Sequence, residues 1–131
     1  MLKIKKEIVE ELFEYAISGL PNEVCGYLAG KGDVITNYYK IKNEDQSPEH
    51  FTFNVQEQFN AFKDARNRGL DIIAVYHSHP STPARPSEED IRLAHDPNVY
   101  YFIISLMNGQ RDLKCFEIKD GKVKKIEYEV I

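Results

Sequence analysis

The chain has 131 residues, 42% of them hydrophobic and 29% charged, the balance of an ordinary globular domain with one core. Seventeen basic against twenty-one acidic residues leave a net charge of −4, and no lysine or arginine stripe could track a phosphate backbone, so no nucleic-acid partner is expected. No run approaches the ~20 apolar residues of a membrane span, and the acidic residues in MLKIKKEIVEEL interrupt any signal-peptide core. The expectation is a cytoplasmic protein with no membrane partner, with Cys25 and Cys115 reduced. Length also excludes an eight-stranded α/β barrel, which needs about 250 residues.

From the N-terminus, Ile8, Val9, Leu12, Phe13, Ala16 and Ile17 recur at the three-and-four spacing of a buried helical face over residues 5–18, and Gly19 and Pro21 stop it. Val24 to Ala29 reads as a buried strand, and a second strand runs from about Val34 to Lys42. Asn43 to Pro48 is a polar connector, and Phe51 to Phe53 a brief extended piece. Asn54, followed three residues later by Glu57, starts a helix whose apolar positions are Val55, Phe59, Phe62 and Ala65. Leu70 to Tyr76 is a compact apolar run of strand type. Ser81 to Pro86 is an irregular loop, and Ser87 opens a helix to about His95. Val99–Leu106, Asp112–Ile118 and Val123–Val130 then read as an antiparallel meander with Asn108-Gly109 and Asp120-Gly121 at its junctions. The sum is a mixed α/β domain with one main sheet and about three helices.

His77-Ser78-His79 stands where the apolar strand runs out. Side chains two apart on extended chain share a face, so both imidazoles can reach one metal ion. Asp90 returns after a loop with a hard oxygen, and three protein ligands plus an open position are what a catalytic zinc requires. Ser87-Glu88-Glu89-Asp90 is also a capping-box pattern, and the two readings are compatible: a helix starting at Ser87 holds Asp90 in its first turn. No His-Glu-x-x-His helix and no deaminase-type cysteine pair are present. His50 and His95 read as surface or helix-end residues.

The segment HSHPSTPARPSEED, residues 77–90, resembles the JAMM motif of the MPN (Mov34/PAD-1) metallopeptidases. PNEVCGYLAG, residues 21–30, is similar to the upstream segment that carries that family's glutamate, here Glu23. SPEHFTFNVQEQF, residues 47–59, resembles the connector and helix between the two. The resemblance implies one JAMM/MPN catalytic domain over residues 1–131. Its fold would be a single mixed, curved sheet flanked by about three helices, akin to the cytidine-deaminase architecture. It also implies a zinc-dependent hydrolase of peptide or isopeptide bonds, acting at the C-terminal tail of a ubiquitin-like protein. Position by position, His77, His79 and Asp90 would bind one zinc, Glu23 would be the general acid/base, and Ser87 would stabilise the oxyanion. Without the resemblance, Glu23 reads as a solvated loop charge.

Short stand-alone members are similar to prokaryotic enzymes that act on small sulfur carriers after the terminal Gly-Gly, so a carrier tail is the expected partner, docked by adding a strand beside a sheet edge. The alternatives are a non-catalytic MPN scaffold module, which resembles the fold but lacks the ligands, and a RadC-like protein, against which EVCGYLAG speaks. If strand geometry begins at Glu23, Cys25 shares its face, either as a small buried hydrophobe or as an oxidant-sensitive neighbour of the site.

Overall fold

The computed structural model describes residues 1–131. Helix α1 (Lys6–Gly19) buries Ile8, Leu12, Phe13 and Ala16, the stripe their spacing predicts. Around it the chain forms strands β1 (Leu2–Ile4), β2 (Cys25–Lys31), β3 (Val34–Ile41), β4 (Asp71–His79), β5 (Tyr100–Ser105), β6 (Asp112–Lys119), β7 (Lys122–Ile126) and β8 (Tyr128–Val130). All eight belong to one sheet in the order β7-β6-β5-β4-β2-β3-β1-β8. β1 pairs in parallel with β3 and β8, and β4 with β5, while the remaining pairs are antiparallel. The sheet is therefore mixed, as expected.

Its curvature follows from one residue. β7 and β8 lie at opposite ends of the strand order yet are separated only by Glu127, so the sheet must curl until its two ends meet. The continuous strand expected over Val123–Val130 is thus two, turned at Glu127 so that one half pairs with β6 and the other with β1. Tyr128 secures the junction: its ring packs on Phe102 with centroids 5.4 Å apart, and its hydroxyl donates to the carbonyl of Leu113. Asp120 and Gly121, both at positive φ, form the two-residue hairpin turn between β6 and β7.

Alternation along the strands sorts two cores. Leu28, Ala74, Tyr76, Phe102 and Ile104 face α1 inside the curl. Tyr27 and Ile41 point outward beneath helix α2 (Val55–Asn67), and Ile103, Phe116 and Ile118 beneath helix α3 (Glu88–Arg92). Two helical expectations need correction. α2 is buried through Ala61 and Ala65, whereas Val55 and Phe59 are 78% and 63% exposed. The small alanine face lets the helix approach the sheet closely, which pushes the bulky stripe to the rim. α3 ends at Arg92, so His95 lies beyond the helix and lines a groove.

Candidate metal centre

β4 runs to His79, three residues beyond its apolar stretch, and His77 and His79 fall on its outward face. Both are buried. Their Nε2 atoms lie 3.0 Å apart, and Asp90 Oδ2 is 3.1 Å from the first and 3.0 Å from the second. A tetrahedral ion with ~2.0 Å bonds has ligand atoms about 3.3 Å apart, so this triangle is close to one face of such a site. These three residues also form the chain's only cluster of metal-ligating type.

The surrounding contacts orient the three ligands and shift their protonation. His79 Nδ1 lies 2.9 Å from the carbonyl of Pro83 and donates to it, which leaves Nε2 as the lone-pair nitrogen. His77 stacks on Phe51 with centroids 4.7 Å apart, and burial lowers its pKa, favouring the neutral imidazole a metal needs. Burial pushes the Asp90 carboxyl up, but the two imidazoles beside it and the Ser87 N–H outweigh it and hold the group ionised. Burial pulls His79 down, while Asp90 and the Pro83 carbonyl together raise it. Ser87 Oγ accepts from the Asp90 N–H at 3.0 Å and Asp90 Oδ2 accepts from the Ser87 N–H at 2.9 Å, so the capping box and the cluster share one carboxylate oxygen.

Glu23 sits two residues before β2 begins, buried beside this cluster. Burial raises its pKa from 4.5 to about 8; His79 works in the opposite direction, and Asp90, Glu89 and Glu49 add to the rise. Its Oε1 is the one buried side-chain polar atom without a hydrogen-bond partner. Cys25 pairs with His77 across β2 and β4, but its thiol donates to the Ile41 carbonyl and burial pushes it up to about 12. Its burial and this bond fit the reading of a small buried hydrophobe.

Two contributors carry no motif. Asn43 caps the end of β3, where its amide organises the connector, and Phe51 supplies the ring against His77. A polar residue closing a strand before a turn-rich stretch was the only signal for the first. A groove of 520 Å³ adjoins the cluster, with Phe51, Thr52 and Phe53 on one wall, Asp90, Leu93 and Ala94 on the other, and Val75, Ile103 and Ile118 beneath. β4 lies between β2 and β5, so it has no free edge for a tail. The connector has one. Glu44 N–H bonds the Thr52 carbonyl and Asn54 N–H the Lys42 carbonyl, while the backbone groups of Phe51 and Phe53 have no partner in the chain.

Residues 5–119 match the model for prokaryotic homologs of the JAB domain. The chain belongs to this family. It is similar throughout to a solved solution structure, protein DSY2949 from Desulfitobacterium hafniense, at 43% identity and a TM-score of 0.90 over 100% of this chain and 93% of that one. It is also similar to the CysO-cysteine peptidase of Mycobacterium tuberculosis, 28% identical over 100% of this chain and 92% of the relative. A desampylase of Haloferax volcanii is 30% identical over 77% of this chain and 75% of the relative. The JAB match spans both Glu23 and the His77–Asp90 segment. No helix of the chain is long and apolar enough to cross a membrane.

Proposed function

We propose that this JAB-family chain is a zinc-dependent hydrolase that cleaves the peptide or isopeptide bond after the C-terminal Gly-Gly of a ubiquitin-like or sulfur-carrier protein. The observation that carries the reading is the triangle of two imidazole nitrogens and one carboxylate oxygen beside a buried carboxyl with one unpartnered oxygen. Two nitrogens and one oxygen at this spacing fit zinc and leave a fourth direction open. Zinc held by His77, His79 and Asp90 would supply a Lewis acid and water with a pKa of about 7.

The chain's own groups divide the remaining work. Glu23, with a pKa raised to about 8, is matched to taking a proton from attacking water and returning it to the departing amine near neutral pH. Ser87 Oγ uses a lone pair in the helix cap and keeps its hydrogen for a developing oxyanion. One such donor is commonly worth about 3 kcal/mol of barrier. The unpaired backbone of Phe51 and Phe53 gives an extended tail a strand to pair with, and glycines at its end admit the backbone to the cluster. The relatives named for CysO-cysteine and for desampylation support the carrier class of substrate. A non-catalytic scaffold has no need of a complete set of Glu23, His77, His79, Ser87 and Asp90.

The test is metal content and turnover together. The purified protein is expected to hold about one zinc per chain and to release the residue following Gly-Gly from a carrier fusion. E23Q should keep the zinc and lose the turnover. A chain that binds no zinc, or one whose E23Q variant cleaves as fast as wild type, removes the reading.

A further inference from the structure

Glu23 belongs to no regular element: β2 begins at Cys25, and although Ser78 of β4 holds the N–H and carbonyl of the adjacent Val24, no strand pairs with the N–H or carbonyl of Glu23 itself. What fixes it comes from elsewhere. The Glu23 N–H donates to the Ser47 carbonyl at 2.8 Å, and the Glu23 carbonyl accepts from Asn43 Nδ2 at 3.1 Å. Both contacts come from the 43–53 connector, and Asn43 shapes that connector as well.

The Asn43 carboxamide makes four hydrogen bonds. Nδ2 also donates to the His50 carbonyl at 2.9 Å, and Oδ1 accepts from the N–H of Asp45 at 3.0 Å and of Thr52 at 3.1 Å. Two donors and two acceptors are the full capacity of an asparagine side chain. The residue is buried, so water does not substitute readily for any of them. Aspartate of the same shape would turn an oxygen toward the carbonyls of Glu23 and His50.

We infer that Asn43 is the positioning residue for Glu23, tying the connector that flanks the groove to the backbone that aims the carboxyl at the His77, His79 and Asp90 cluster. The inference rests on the proposed hydrolase reading for its kinetic consequence, but not for its structural one. Asn43 is not among the three ligands of the cluster; it holds the Glu23 carbonyl directly and meets the groove wall only through the Thr52 backbone.

The experiment compares wild type with N43S, which keeps a small polar side chain, and with N43D. Three quantities are read: zinc affinity by chelator competition, kcat and KM on a carrier fusion, and amide hydrogen exchange. For both variants, zinc affinity should stay within about threefold while kcat falls about 10- to 100-fold, a larger change than that in KM, as for a reacting group displaced by a fraction of an ångström. The Glu23 amide should exchange about tenfold faster or more, with the β2 and β4 amides unchanged. A rise in KM at constant kcat would assign Asn43 to the connector alone and overturn the inference, and so would a zinc affinity that falls with turnover. If wild type cleaves no fusion, the hydrolase reading fails by itself. The Glu23 exchange rate then decides on Asn43, and an unchanged rate overturns it.

Discussion

A buried carboxyl with an empty hydrogen-bonding site on one oxygen is costly to ionise, and Glu23 registers that cost in its pKa of about 8. The folded chain binds this proton more tightly than the unfolded one, so stability declines as pH rises from about 4.5 towards 8 and the penalty is complete above that window. In the metal-free protein, E23Q is therefore expected to gain stability over wild type progressively from pH 5 to pH 8, by on the order of a few kcal/mol at the upper end. Urea unfolding of both proteins in excess chelator, repeated along that pH series, measures the difference; parallel curves would show that Glu23 is solvated. Nothing in Pro21-Asn22-Glu23-Val24 reveals this burial, because the desolvation comes from residues distant in the chain. His77 and His79 are the opposite case: their shared face follows from strand parity alone.

At the scale of elements, α3 is the weak part of the site. Five residues make little more than one turn, far short of the ~12–15 that a helix needs to persist unaided, so its capping box and its packing through Ile91 carry it. Ser87 is expected to matter twice. S87A should cost about 1 kcal/mol of stability through the lost cap. It should also lower zinc affinity, because the bond from the Asp90 N–H to Ser87 Oγ holds the first turn that aims Asp90 Oδ2 at both histidines. S87T retains an oxygen for the cap and a hydroxyl hydrogen, and should restore both quantities; chelator-competition titration and thermal unfolding of the three proteins check this. The start of α3 was legible from Ser87 and Asp90, but its length was not, since Leu93, Ala94 and His95 carry no helix breaker before Pro97. α2 shows a related limit. Its spacing places Val55, Phe59, Phe62 and Ala65 on a stripe, yet only Ala65 of these is buried, beside Ala61, because the small alanine face packs on the sheet and the bulky residues stay at the rim.

For the whole molecule, the closed curl separates stability from chemistry. The ligand strand β4 stands near the middle of the strand order, with β5, β6 and β7 on one side and β2, β3, β1 and β8 on the other. Closure at Glu127 lies at the far ends of both flanks. The sequence around it, Lys125-Ile126-Glu127-Tyr128, has neither proline nor glycine, so the turn arises from where the partners β6 and β1 lie and was not readable locally. Tyr128 joins the flanks by packing on Phe102 and bonding the Leu113 carbonyl. Y128A removes a half-buried aromatic ring and one hydrogen bond, and is expected to destabilise the chain by about 2–4 kcal/mol. Y128F loses only the hydroxyl and should cost about 1 kcal/mol. Neither should change zinc affinity, because His77, His79 and Asp90 are held by β4, the 80–86 loop and the α3 cap rather than by the seam. Zinc, by binding the folded chain alone, should raise the unfolding midpoint of wild type and Y128A by the same increment. Chemical denaturation with and without zinc resolves the two contributions, and a smaller zinc increment in Y128A would mean that the curl itself shapes the metal centre.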